Sequence, residues 1–169
     1  PQSVWTMARR LIRGGHQAVV LGHAEKPLHM EKNIKFHDTD PECHEAGRLI
    51  EASRFDAVIF FFAWQCEPGD RNSQVQGSML DALLKMLQKS EGEGVRQFTL
   101  VTDRRVFGAA QEGIEEERPL PDTSAGLLIR TAEDCLFAAH TEKMETRLVR
   151  VTSLYEEQDP HSFFAYASS

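Results

Sequence analysis

Two periods of apolar residues take turns along this chain. Val4, Ala8, Leu11 and Ile12 lie at i, i+4, i+7 and i+8, a helical stripe, and Gly14-Gly15 ends that helix. Short apolar runs at 18–21 and 34–36 predict strands. Residues 41–53 predict a helix, with Asp40 as N-cap and Pro41 at the first helical position. Residues 55–63 predict the central strand. The Phe60-Phe61-Phe62 run within it implies burial on both faces, as in a parallel sheet covered on each side. A polar loop at 65–71 follows, at the strand end where ligands enter open α/β sheets.

The alternation continues with a helix at 74–89 and a strand at 98–102. An acidic loop at 108–121, a helix at 124–140 and a strand at 147–151 complete it. Alternating helices and strands predict an α/β fold, a Rossmann-like three-layer sandwich with a mostly parallel sheet. At 169 residues the length predicts one domain with a real core, spanning 1–169.

Both long helices are apolar around most of their circumference. The first carries Met79, Leu80, Ala82, Leu83, Leu84, Met86 and Leu87; the second carries Leu127, Leu128, Ile129, Ala132, Cys135, Leu136 and Phe137. A helix covering one sheet face needs one stripe, so a second buried face is expected. The nominated interface residues are Met79, Leu80, Leu83, Leu84, Leu87, Leu128, Ala132, Cys135 and Leu136.

Charge and composition narrow the function. A net charge of −7 argues against a nucleic-acid partner, which needs clustered Lys and Arg. No apolar run approaches the roughly 18 residues of a membrane span. Cys43, Cys66 and Cys135 have no framework spacing and suit a reducing, cytoplasmic setting. His37, Asp38, Asp40, Cys43 and His44 lack the spacing of a structural zinc site, so no metal is expected.

Several motifs, in order, resemble the extended short-chain dehydrogenase/reductase family, the NAD-dependent epimerases and dehydratases. The segment Phe98-Thr99-Leu100-Val101-Thr102-Asp103-Arg104-Arg105-Val106-Phe107-Gly108 is similar to the family strand that ends in Ser-Ser-x-x-Val-Tyr-Gly. Pro119-Leu120-Pro121-Asp122-Thr123-Ser124-Ala125-Gly126 resembles the Pro-x-Ser-Pro-Tyr-Gly-x-Ser-Lys motif that opens the next helix. Asp56-Ala57-Val58-Ile59 and the run to Ala63 resemble the family's fourth strand, and Arg147–Val151 its sixth.

The resemblance implies a Rossmann fold, and it places the catalytic identities on residues that differ from the pattern. The Ser/Thr position falls on Asp103, the Tyr on Ala125 and the Lys on Ile129, with Pro121, Gly126 and Glu133 keeping the register. A one-residue shift gives Gly126 and Arg130, still without a Tyr. Ala and Ile cannot move a proton. The acidic residue that would hold the adenosine ribose falls on Gly22, followed by His23. The glycine-rich loop that would cradle a pyrophosphate is not in the sequence, which starts at Pro1. The expectation is therefore a domain incomplete at its N-terminus and lacking most of the family's C-terminal substrate domain.

These departures predict a non-catalytic module with a structural, regulatory or protein-interaction role, not an enzyme and without a cofactor. NAD or NADP enters only if the glycine-rich loop exists, with His23, Ala63 and Thr102 as weak contacts. The alternatives are a nucleotide or dinucleotide sensor, or a true NAD(P)-dependent epimerase, dehydratase or reductase with atypical residues. The resemblance also implies that the two long helices form a four-helix interface, giving a homodimer or association with a homologous partner.

Overall fold

A computed structural model describes residues 2–21, 34–37, 44–62, 73–107 and 123–151. Its elements are α1 (Gln2–Arg13), β1 (Ala18–Leu21), β2 (Ile34–His37), α2 (His44–Ala52), β3 (Ala57–Phe61), α3 (Ser73–Gly92), β4 (Gln97–Asp103), α4 (Ser124–Ala138) and β5 (Glu145–Val151). A 3₁₀ turn, Arg104–Phe107, joins the end of β4. Among the described residues every strand pairing is parallel. Parallel strands with flanking helices make this a Rossmann-like α/β fold, as the alternation predicts. The predicted loops at 65–71 and 108–121 lie outside the described residues, as do Asp40 and Pro41.

Contacts group the chain into two compact units, one around Pro1–Asp40 and one spanning Pro41–Thr152. In the first, β1 pairs with β2, and α1 packs on both. Of the stripe predicted for α1, Ala8 is buried and Val4 and Ile12 pack partly buried against the core, Leu11 stays half-buried, and Trp5, outside that stripe, is buried with Ala8, Ala18, Val20 and Ile34. The Trp5 and Phe36 rings lie 5.4 Å apart. Gly15, at φ +84°, turns the chain out of α1, a conformation that costs an L side chain.

In the second unit the strand order is β3-β4-β5. Among the described residues β4 is the middle strand of this sheet and β3 is paired along one side, whereas the reading of 55–63 made β3 the central strand. Paired on both sides, β4 buries Phe98, Thr99, Leu100, Val101 and Thr102, each at 8% exposure or less. Among the described residues β3 is paired along one edge only, and Ile59 stays 36% exposed despite the apolar run. A continuous apolar run gives no information about sheet order.

Alternation sorts the side chains of this sheet. Thr102 meets α4, so Phe98 and Leu100 face the same way, with their register partners Thr146, Leu148 and Arg150 on β5. On β5 these three are half-buried while Glu145, Arg147 and Val149 are exposed. Helix α3 buries Met79, Ala82, Leu83, Met86, Leu87 and Ser90, a single stripe, and packs on α2 and α4. A Lys89–Glu51 ion pair ties its end to α2.

Helix α4 starts at a side-chain cap. The Thr123 hydroxyl accepts from the Gly126 N–H at 3.0 Å, satisfying one of the helix's unpaired donors. Thr123→Ala is expected to cost about 1 kcal/mol, the usual value of such a cap. A shift in the urea midpoint with an unchanged slope checks it; an unmoved midpoint would show that the cap contributes nothing.

Candidate functional site

The carboxyl ends of β4 and β5 carry a buried polar arrangement. Thr102, Glu133 and Arg150 come from two strands and one helix. Thr102 and Arg150 are register partners on neighbouring strands. Glu133 reaches them from α4, one turn beyond Ile129.

Its carboxylate satisfies both. Oε1 accepts from Thr102 Oγ1 at 3.0 Å and from Arg150 Nε at 3.0 Å. Oε2 accepts from Arg150 Nη2 at 2.8 Å, which makes the pair bidentate. Thr102 is fully buried and Glu133 is 1% exposed, while the Arg150 side chain is 19% exposed. A carboxyl group this deep is costly to bury unless it is paired and hydrogen-bonded, as it is here. The Arg150 guanidinium also lies over the Phe107 ring, 5.1 Å from its centroid, within cation–π range.

The residues singled out in the sequence fall as follows. Asp103 is the last residue of β4, so it stands at the strand's carboxyl end beside the turn. Ala125 lies in the first turn of α4 and Ile129 one turn later. Ile129 is 3% exposed and sits in the core, where it packs instead of bonding. Thr102, a weak cofactor candidate, has its hydroxyl engaged by Glu133. His23 and Ala63 lie outside the described residues.

The nominated interface residues divide. Met79, Leu83, Leu87, Ala132 and Leu136 are buried in the chain's own core. Leu80, Leu128 and Cys135 are half-buried, and Leu84 is 44% exposed. The exposed large apolar residues on α4 are Leu127 and Phe137, at 57% and 56%. Burial and the neighbouring Asp134 push the Cys135 thiol up, so it is a poor nucleophile at neutral pH. Among the described residues no group of three His, Cys, Asp or Glu is placed to hold a metal ion. None of the described helices is long and apolar enough to cross a membrane.

Sequence reading missed the Glu133–Arg150 pair. Glu133 served only to keep register, and Arg150 looked like an ordinary strand residue. The available signal was a lone acid on the apolar side of α4, one turn from Ile129, together with an Arg among the alternating residues of β5.

No protein-family model matches the chain, and no curated protein sequence matches it. Solved structures do. A UDP-glucose 4-epimerase from Thermotoga maritima, with UDP-glucose, matches at TM-score 0.74 and 19% identity over 93% of this chain and 54% of that one. A UDP-glucuronic acid 4-epimerase from Bacillus cereus in complex with NAD matches at TM-score 0.73 and 16% identity, over 94% of this chain and 56% of that one. MoeE5 in complex with UDP-glucose and NAD matches at TM-score 0.72 and 18% identity, over 97% and 56%. The chain spans about half the length of the structures it matches. At these identities the likeness establishes the fold, and it agrees with the resemblance read from the motifs.

Two expectations are corrected by it. The chain was expected not to be an enzyme, yet the structures sharing its fold include epimerases. It was expected to take no cofactor, yet several of those structures hold NAD. The physical reason lies in what three side-chain identities can decide. In this fold a dinucleotide is held largely by backbone N–H groups and helix N-termini at strand ends, which an Ala or Ile elsewhere does not remove.

Proposed function

We propose that this chain is the nucleotide-binding part of an NAD-dependent epimerase- or dehydratase-like enzyme acting on a nucleotide sugar. The supporting observation is the extent of the structural likeness, which runs through 93% of the chain for the Thermotoga maritima epimerase and 97% for MoeE5.

The described side chains at the candidate cofactor positions do not fit a dinucleotide. Ile129 is apolar and buried, and the Thr102 hydroxyl is engaged by Glu133, so neither holds a ribose hydroxyl. A bound dinucleotide would rest on backbone groups at the strand ends and on residues outside the described ones, His23 and Ala63 included. It would supply the hydride chemistry. Of the three family positions only Asp103 carries an ionisable group. Three cysteines without framework spacing support a cytoplasmic setting. The exposed Leu127, Phe137 and Leu84 support association through the outward sides of α3 and α4.

Calorimetric titration of the full-length protein with NAD and with NADP tests the reading. A dissociation constant of about 1 μM–1 mM, the usual range for enzyme ligands, is expected for one of them. Binding without turnover of UDP-glucose or UDP-glucuronic acid would select a nucleotide sensor instead. Absence of binding to either nucleotide at millimolar concentration would remove the proposal.

A further inference from the structure

The 3₁₀ turn Arg104–Phe107 is held at both ends by the same ion pair. Before the turn, Thr102 donates to Glu133 Oε1. At its end, the Phe107 ring lies against the Arg150 guanidinium. Arg150 and Glu133 bind each other bidentately, closing a loop of contacts around the turn. Val106, fully buried, anchors the middle of the turn, but an apolar anchor fixes depth and not direction. Hydrogen bonds and a planar guanidinium fix direction.

We infer that Arg150 is a positioning residue: with Glu133, it clamps the turn that follows Asp103 at the ligand end of the sheet. The clamp is placed for that task. Thr102 and Arg150 end neighbouring parallel strands in register, and Glu133 bridges them from the helix above. The Phe107 ring extends the pair's contacts to the far end of the turn. The inference rests on the proposed function for its ligand consequence, and on geometry alone for the order of the turn.

The experiment uses the full-length protein and two variants. Arg150→Lys keeps the charge but removes the bidentate fork and the flat face over the ring. Phe107→Leu leaves the buried pair intact and removes only the ring. Arg147→Lys, altering an exposed pair with Glu145, is the control. Amide hydrogen exchange is followed across β4, the turn and α4, with NAD or NADP affinity measured in parallel. Both test variants are expected to speed exchange at 104–107 by about tenfold, the factor set by one lost charge-assisted contact, with β3 and α3 unchanged. Nucleotide affinity should fall by a similar factor while the control stays at wild type.

Exchange that rises uniformly through the sheet in either variant would make the network ordinary core packing and overturn the inference. So would unchanged exchange at the turn. Faster exchange at the turn with unchanged affinity would overturn its link to the ligand. A wild-type protein that binds neither nucleotide overturns the proposed function, and the exchange data still decide the clamp.

Discussion

Glu133→Ala is expected to destabilise the protein by about 3–5 kcal/mol, the cost of leaving one member of a buried ion pair alone. Glu133 is 1% exposed, and the change strands both the Arg150 guanidinium and the buried Thr102 hydroxyl. In a chain of this size that is a fall of roughly 6–20 °C in Tm. Replacing both charges, Glu133→Leu with Arg150→Met, should cost clearly less than Glu133→Ala. Two apolar side chains avoid the desolvation that one uncompensated charge imposes. Thermal unfolding followed by circular dichroism measures both. A Glu133→Ala protein within about 1 kcal/mol of wild type would mean that water reaches the pair and that its burial is not energetically real.

A pair of neighbouring substitutions on α3 carries the second large effect. Leu83→Arg should unfold the second unit, and Leu84→Arg should leave it folded. Leu83 is 0% exposed, so an arginine there has no water and no partner, a cost of several kcal/mol. Leu84 is 44% exposed, and a surface change of this kind stays within about 0.5 kcal/mol. One residue along a helix is a rotation of about 100°, enough to cross from core to surface. Light scattering of the folded Leu84→Arg protein then bears on association through this face. If wild type is a dimer and Leu84→Arg a monomer, the outward side of α3 is an interface. If Leu83→Arg folds normally, the buried stripe assigned to α3 is wrong.

The sequence by itself determined the order and type of the elements. The α1 stripe, the Ala18–Leu21 run and the two long helices fall where periodicity placed them, because a helix and a strand each need only local spacing to be recognised. Ordered motifs also pointed to the correct fold, since glycine and apolar positions record backbone and packing needs that outlast changes in chemistry. Function was read less well. Asp103, Ala125 and Ile129 were taken as evidence against an enzyme, and Gly22, Ile129 and the lack of a glycine-rich loop as evidence against a cofactor, although side-chain identities at a few positions do not decide either in a fold that holds dinucleotides largely through backbone groups.

Tertiary structure decided the rest. That β4 and not β3 is the middle strand of its sheet among the described residues depends on which strands pair across sequence gaps, and a Phe-rich run has no access to that information. Which leucines of α3 face inward depends on a rotation that an all-round apolar pattern leaves undetermined; Leu83 and Leu84 look alike in the sequence and differ completely in burial. The Thr102–Glu133–Arg150 clamp joins positions 31 and 17 residues apart. Local patterns mark its members but not their pairing, which exists only once a helix is laid across two strand ends and a buried carboxylate must find every partner within reach.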